Sequence, residues 1–312
     1  MSGRRWVSEC LPRREAMSNT QRTLVLAALI PAMTSHASAL ELQSATLHDW
    51  QDYVRSADDR LQMRVANDQP FLWMSEAPER LQAVAHGGIL VQPMAERGMV
   101  SIRGGLIHHW VGAIFIPHAK LGAVRSVKND YDSYDDIYKP AVVESKSLGS
   151  DGTHDHFSMV WHRQVLFVNA AVQSDYSAYA VRVDSTREYS IADSTRIQQI
   201  ENYGRPDQRS LAPDTGSGFI WRVHSIQRYE ERTDGVYLEI EALALTRDIP
   251  KSMRWLVSPV VNRLSVESLT TTLRQTRAAV EACQLKLAGG IRPASETAPL
   301  QVVKTPGRCQ SR

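Results

Sequence analysis

The chain has 312 residues, 43% of them hydrophobic and 22% charged, a composition typical of a globular protein and not of a disordered or fibrous one. This length is enough for one large domain or two small ones. Its 36 basic and 34 acidic residues nearly cancel, and nothing in this balance points to a nucleic-acid partner, which would require a clustered basic surface.

Residues 1–39 have the pattern of a secretory signal peptide. A basic flank precedes the short apolar run 24–30, and residues 37–39 read Ala-Ser-Ala, a small-residue cleavage pattern. The run is too short to span a bilayer, which needs roughly 20 apolar residues. Two arginine pairs lie upstream of Met17, so a start at Met17 instead of Met1 stays open, as does an uncleaved interfacial helix. The pattern predicts an exported protein located in the periplasm.

Cleavage would leave Cys283 and Cys309 in an oxidising compartment, where they could form a disulfide. Residues 287–312 are rich in proline and glycine and are predicted to be a disordered tail. Because Cys309 lies in that tail, two free thiols are an equal alternative. No Cys-x-x-Cys pair is present for zinc or redox chemistry.

In chain order, the folded part begins with helices. Apolar residues at three- and four-residue steps over 47–65 predict an amphipathic helix, which residues 67–70 end. A shorter helix is predicted over 76–86 and a short strand at 89–91. We interpret residues 40–100 as a helical N-terminal extension.

From residue 103 onward, β-branched and aromatic residues without a helical period predict strands. The run 106–117 is the first, and short helices or turns follow at 121–127 and 131–138. The later strand-like runs cover 140–148, 155–163, 165–182, 187–202, 217–232 and 236–247. Asp234-Gly235 between the last two is a strong hairpin signal.

The helical period returns near Lys251, and the apolar positions of 269–283 fall on one face of a long helix. Pro259 is expected to kink or divide it. A run of antiparallel strands closed by one long helix indicates an α+β fold and not a parallel βαβ array.

Several stretches resemble START-like domains, the helix-grip (SRPBCC) superfamily. They are the stretch at 112–119, in which the strand ends in Ile116-Pro117, the apolar helix positions Val124 and Val127, the aromatic turn at 130–134 and the second strand at 138–145. The resemblance assigns the START-like domain to 101–286. It implies a curved antiparallel sheet wrapped around a long C-terminal helix, with a cavity between them.

Three further stretches, at 105–110, 218–222 and 245–250, resemble a group of uncharacterised bacterial exported proteins with this domain. The superfamily includes polyketide cyclases, coenzyme Q-binding proteins and the birch-pollen allergen. The resemblance therefore implies a fold without fixing a function.

Alternation along the last hairpin predicts one polar face and one inward face. With Asp234-Gly235 as the turn, Arg228 is expected opposite Glu241, as a solvated cross-strand pair. The inward face mixes large aromatic residues with small ones, which leaves room for an apolar molecule or for a closely docked helix. Ordinary core packing is the alternative.

The predicted function is the binding or carriage of a lipid-like or aromatic ligand, without a cofactor and with transient membrane contact as a further expectation. The residues expected to line the cavity are Trp110, Trp161, Trp221, Tyr229, Ser225, Ala242 and Ala244.

Two alternatives to a carrier stay open. One is a cyclase- or hydrolase-like enzyme that uses the same cavity and builds an acid–base pair from His108, Glu241 or Tyr229. The other is a non-catalytic envelope interaction protein whose extension at 40–100 forms the partner surface. No nucleophile elbow, phosphate loop or dinucleotide motif is present in the sequence.

The histidines and acidic residues predict no metal site. His108 and His109 are adjacent on a strand and therefore point to opposite faces. His154 and His156 share a face, but no third ligand can be identified. The acidic turn at 130–136 lacks the glycine and glutamate of an EF-hand loop.

Overall fold

The computed structural model describes residues 40–66, 69–165, 168–249 and 251–289. The predicted signal peptide and nearly all of the predicted tail lie outside these residues. Within the described ranges, no helix is both long enough and apolar enough to cross a membrane. Cys283 is disulfide-bonded, and the chain's other two cysteines fall outside the described ranges.

The helices follow the predicted periodicity closely. The α-helices of the described residues are α1 (Ser44–Val65), α2 (Pro78–Ala85), α3 (Leu121–Lys128), α4 (Tyr134–Ile137) and α5 (Lys251–Gly289). Helix α5 is continuous through Pro259, so the expected division does not occur. A proline removes one backbone hydrogen bond, and the long packed part of α5 beyond it keeps the helix in one piece.

The strands of the described residues are antiparallel throughout. They are β1 (Leu40–Glu41), β2 (Leu90–Pro93), β3 (Met99–Ile102), β4 (Gly105–Pro117), β5 (Val142–Ser150), β6 (Asp155–Val165), β7 (Val168–Arg182), β8 (Arg187–Glu201), β9 (Arg209–Ser210), β10 (Thr215–Gly216), β11 (Arg222–Arg232) and β12 (Gly235–Arg247). The main sheet runs β2-β4-β12-β11-β8-β7-β6-β5, with β3 also paired to β4 and β9 to β8, while β1 pairs with β10.

One face of this sheet, called the inner face here, is turned toward α5. It carries Ile114, Tyr229 and Leu238, which form one core with Leu273 and Val280 of the helix. An antiparallel sheet that packs against a long C-terminal helix is the helix-grip α+β arrangement, so the fold class expected from the sequence is confirmed.

The opposite, outer face is also covered. Its residues Val111, Ile226 and Leu243 form a second core with Trp50 of α1 and Trp73 of the following segment. The prediction of a solvated polar face on the last hairpin is therefore wrong. The N-terminal extension supplies the apolar side chains that bury this face.

The register of the last hairpin differs from the prediction by two residues. The two-residue loop is Thr233-Asp234, and Arg232 pairs with Gly235, which belongs to β12. A Cβ on Gly235 would lie 2.3 Å from the Ile116 carbonyl oxygen, so glycine is required there by the close approach of β4 and not by the turn. Because the shift is even, the side chains within β11 and β12 keep their predicted faces.

Candidate functional site

A row of small side chains crosses the middle of the inner face. Ala178 of β7 lies opposite Ala192 of β8, Ala192 opposite Ser225 of β11, and Ser225 opposite Ala242 of β12. Trp110 of β4, opposite Ala242, closes the row at one end. We call Ala178, Ala192, Ser225 and Ala242 the small-residue row. Four neighbouring strands thus contribute a shallow trough on the side that faces α5.

In the central strands, the side chains of the outer face are more deeply buried than those of the inner face. On β12 the outer-face residues Leu243 and Leu245 are fully buried, whereas the inner-face residues Ala242 and Ala244 remain partly accessible. On β11 the same alternation holds, with Ile226 buried and Ser225 partly accessible. Ala192, Ser225 and Ala242 of the small-residue row are thus partly accessible, whereas Ala178 is buried.

Helix α5 contacts strands on either side of the four strands that carry that row. At β4 the approach is close, since a Cβ on Gly112 would lie 2.6 Å from Leu273 and 2.9 Å from Leu269. On the other side, Arg163 Nη1 of β6 donates to Ser268 Oγ over 3.0 Å. Adjacent positions on one helix thus reach strands on both sides of β8, β11 and β12. The sheet must therefore curve around α5.

The tyrosine after α4 also fastens the helix. The Tyr138 hydroxyl lies 3.1 Å from the Thr276 hydroxyl of α5. The main packing partners of α5 among the described elements are β4, β2, α3 and α4. The central strands of the sheet are not among them, in agreement with the accessible surface above the small-residue row.

Several polar atoms on the inner face are buried without a hydrogen-bond partner in the described part of the chain. They are Trp110 Nε1, His108 Nδ1, Trp161 Nε1 and the Tyr176 hydroxyl. Burial raises the pKa of Tyr176 to about 12, although Ser174 and Trp161 lie close enough to oppose the shift. A buried polar group left unpaired costs about 1–3 kcal/mol, so water or a ligand group is the expected partner of such atoms.

The structure places most of the predicted lining residues on the inner face. Trp110, Ser225 and Ala242 lie on the row that crosses it, Ala244 is next along β12, and Tyr229 lies two rows away from Ser225. Tyr229 is buried, and its hydroxyl donates to Gln227. Their contact with a ligand stays a prediction.

Two predicted residues have other positions. Trp161 is on β6 and packs with Phe157 and Met159 beside the aromatic turn, at the edge of the inner face. Trp221 belongs to the outer core with Trp50, so its placement on the inner face was wrong. Strand β11 begins only at Arg222, and the alternation that predicted the face of Trp221 does not extend to it.

The three acid–base candidates do not converge. His108 and Tyr229 are on the inner face, three rows apart, because His108 is opposite Ala244 whereas Tyr229 is opposite Leu238. Glu241 is on the outer face. Burial lowers the pKa of His108 to about 4, and its Nε2 lies 3.0 Å from the Thr246 hydroxyl. The arrangement lacks the short mutual distances that acid–base catalysis needs.

The charged residues of the last hairpin form a buried network that sequence reasoning had treated as solvated. Arg228 lies opposite Glu239 and donates to it from Nε over 3.1 Å, and to Glu241 from Nη1 over 2.9 Å. Glu239 also accepts the backbone N–H groups of Trp73, at 2.9 Å, and Met74, at 2.6 Å. All three charged side chains are at most 4% exposed.

The network continues into α1. His109 bridges Glu241 and Tyr53, with Nε2 and Nδ1 each 2.9 Å from their partner oxygen atoms. Burial alone would raise the pKa of Glu241, but the hydrogen bond from His109 and the charge of Arg228 hold it well below its usual range. The signal for burial was present in β12, where Glu239 and Glu241 share a face with Leu243 and Leu245.

Other candidate sites have less support. An outer groove of about 610 Å³ beside Phe71 is lined by Arg187 and Arg232, which pair with Asp184 and Glu230 respectively. Among the described residues, neither the acidic turn at 130–136 nor the His154–His156 pair forms a mutual cluster of three metal ligands, although Asp151 contacts both histidines. His48, Asp49 and Asp52 do come together, on the exposed start of α1, where such clusters are common without an ion.

No family model matches the chain, and no curated protein matches it significantly. Solved structures of similar architecture were found. A fragment of the STAR-related lipid transfer protein from Xanthomonas axonopodis has 16% identity and a TM-score of 0.39, over 59% of this chain and 99% of that one.

Two further structures are of the same kind. Human STARD10 has 13% identity and a TM-score of 0.37, over 63% of this chain and 80% of that one. The di-domain ARO/CYC StfQ from the steffimycin biosynthetic pathway has 12% identity and a TM-score of 0.38, over 59% of this chain and 52% of that one. Likenesses this low carry no argument about the ligand or the activity of this chain.

Proposed function

We propose that the protein binds a hydrophobic, lipid-like or aromatic ligand between the inner face of the sheet and α5, and carries it outside the cytoplasm. The observation that supports this most is the partly accessible surface of Ser225, Ala242 and Ala244, on strands whose outer-face residues Ile226, Leu243 and Leu245 are fully buried. A packed protein has no reason to leave its small side chains accessible on the face that a helix covers.

Two properties of the trough suit such a ligand. Its floor is made of Ala and Ser side chains, so an apolar molecule can approach the sheet closely and lose water at about 25 cal/mol per Å² of apolar surface. Beside Ala242 and Ala244 it carries two buried polar atoms without a partner among the described residues, Trp110 Nε1 and His108 Nδ1, which a polar group of the ligand can satisfy. Carriage then requires only that α5 or its neighbours open the trough.

The alternative of an envelope interaction protein has less support. Among the described residues of the extension, Met63 is the only large apolar side chain that is classed as exposed, and a partner surface would need a contiguous patch. The apolar residues of the extension instead pack against the outer face of the sheet.

Filling the trough tests the proposal. Ala192→Phe and Ala242→Phe place a ring on the floor, and we expect each to weaken the binding of a neutral naphthylamine dye at least about tenfold. The matched control is Ala278→Phe on the exposed side of α5, which should leave dye affinity unchanged. Circular dichroism of each variant shows whether it is folded.

Two results would contradict the proposal. One is undiminished dye binding by folded Ala192→Phe and Ala242→Phe variants. The other is wild-type protein that binds no dye and carries no lipid, both by native mass spectrometry and by analysis of an organic extract of the purified protein.

A further inference from the structure

A second opening lies where α3 meets the sheet, at one end of the inner face. It is a groove of about 330 Å³ lined by Arg125, Asn129, Ala180, Arg182 and Glu188. Ala180 is two residues along β7 from Ala178 of the small-residue row, and residues two apart on a strand share a face. The groove therefore continues the same face as the proposed apolar trough.

One cation of this groove is paired. Arg125 donates from Nε and Nη2 to the same Glu188 oxygen, Oε2, over 3.2 and 2.8 Å. Glu188 is buried, whereas Arg125 is about one-third exposed, with 37% of its side chain accessible. The pair therefore keeps part of the guanidinium at the groove surface while it holds the carboxylate below.

Two further cations have no counter-ion. Arg182 of β7 is exposed, and its side chain makes no hydrogen bond or ion pair with the described residues. Lys128, one turn after Arg125 on α3, is half-buried and likewise unpaired in the described part of the chain. Burial lowers the pKa of Lys128, while the charges of Glu188 and Asp155 oppose the shift. Both carboxylates are occupied, since Asp155 accepts a hydrogen bond from Tyr131 over 3.3 Å.

We propose that this groove is an anion subsite, which holds the charged oxygens of an amphiphile whose apolar part lies on the small-residue row. The proposal rests on the proposed function and adds the class of ligand: a long apolar chain or ring system that ends in a carboxylate or a phosphate. Arg182 supplies the unpaired positive charge that lines the groove, and the Asn129 amide supplies a neutral donor there. Lys128 does not line the groove, but it lies on α3 close enough to Glu188 and Arg125 for their charges to act on it, and it adds positive charge beside the groove. Half-burial of Lys128 strengthens its attraction for an anion because water screens it less.

The charge preference can be measured by displacement of the neutral dye at low salt. The ligands are oleate, oleoyl lysophosphatidate and oleyl alcohol, which share a chain and differ in the head group. We expect at least one of the two anions to bind about five- to tenfold more tightly than the alcohol, and the preferred anion identifies carboxylate or phosphate recognition. Added salt should reduce the preference.

Variants separate charge from structural damage. Arg182→Gln and Lys128→Gln should each lower the affinity for the preferred anion several-fold and leave the alcohol unaffected. Glu188→Gln should raise the affinity for the anion, because it releases Arg125, and a loss of structure cannot produce a gain. Arg274→Gln, on the exposed side of α5, is the matched control and should change nothing.

The two levels of the account fail in different ways. Equal affinities for the anions and the alcohol, unchanged by Arg182→Gln and Glu188→Gln, would overturn the anion subsite and leave the proposed function in place. If none of the three ligands displaces the dye, or the dye itself does not bind, the proposed function fails as well.

Discussion

Arg228 is the residue on which the outer face of the sheet depends most. Its guanidinium lies between Glu239 and Glu241 at 1% exposure, and both carboxylates have further donors from the extension or from His109. A buried ion network contributes little net stability when complete, but removing one member leaves uncompensated charge in a low dielectric. We therefore expect Arg228 to be intolerant of neutral replacement.

The prediction is that Arg228→Met lowers the free energy of unfolding by about 3–5 kcal/mol, measured by urea denaturation. The control is Arg263→Met, which removes an exposed arginine paired with Glu267 on α5 and should cost no more than about 1 kcal/mol. Similar losses in the two variants would show that the Arg228 network is not buried as described.

The residues of the candidate site were only partly predictable from sequence. Ser225, Ala242 and Ala244 follow from alternation within one hairpin, a local pattern. Ala178 and Ala192 join them only through the pairing of β7 with β8 and of β8 with β11, and a register shift at Asp175–Tyr176 interrupts that pairing. The pairing of strands that are far apart along the chain produces no periodic pattern in the sequence.

At the scale of elements, the attachment of α1 to the sheet is the feature that pH should affect. His224 of β11 lies between Asp193 of β8, with Nδ1 2.8 Å away, and Asp58 of α1, with Nε2 3.3 Å away. Burial alone would lower the pKa of His224, but the hydrogen bonds and charges of these two aspartates raise it to about 9. The protonated imidazole thus connects the helix to the sheet.

The sign of the pH effect follows from this raised pKa. The folded state holds the proton more tightly than the unfolded chain, whose histidine titrates near 6.5, so the stabilisation is complete below about pH 6.5 and is lost as pH rises through about 9. We expect wild-type protein to lose up to about 3 kcal/mol of unfolding free energy over this interval. Urea midpoints at a series of pH values measure it.

A matched pair of variants isolates His224. The loss between pH 6.5 and 9 should be much smaller in His224→Gln and should persist in His48→Gln, which alters an exposed histidine of α1. An identical decline in wild type and His224→Gln would contradict the role assigned to this residue.

The elements themselves were mostly predictable, and their partners were not. The helical period located α1, α2 and α5, and the alternation located the long strands. No local pattern indicated that α1 and α2 cover the outer face, because that contact joins segments more than a hundred residues apart, as Trp73 and Glu239 show. Strand β3 was missed because it has only four residues and follows a short turn.

For the whole molecule, the sheet lies between two unlike layers. The extension with α1 and α2 buries the outer face and satisfies its charges, whereas α5 with α3 and α4 covers the inner face without filling it. Under the proposed function, the outer layer stabilises the sheet, and the inner layer adapts to the ligand.

Photolabelling with a long-chain probe that carries a diazirine near its apolar end, followed by peptide mass spectrometry, tests this division most directly. The account predicts labels on inner-face positions, namely 178, 192, 225, 242 and 244, and on the facing part of α5 near Ser268, all suppressed by excess unlabelled ligand. Labels concentrated beside Phe71 on the outer groove, or on the exposed side of α5 at Arg274 and Ala278, would contradict it.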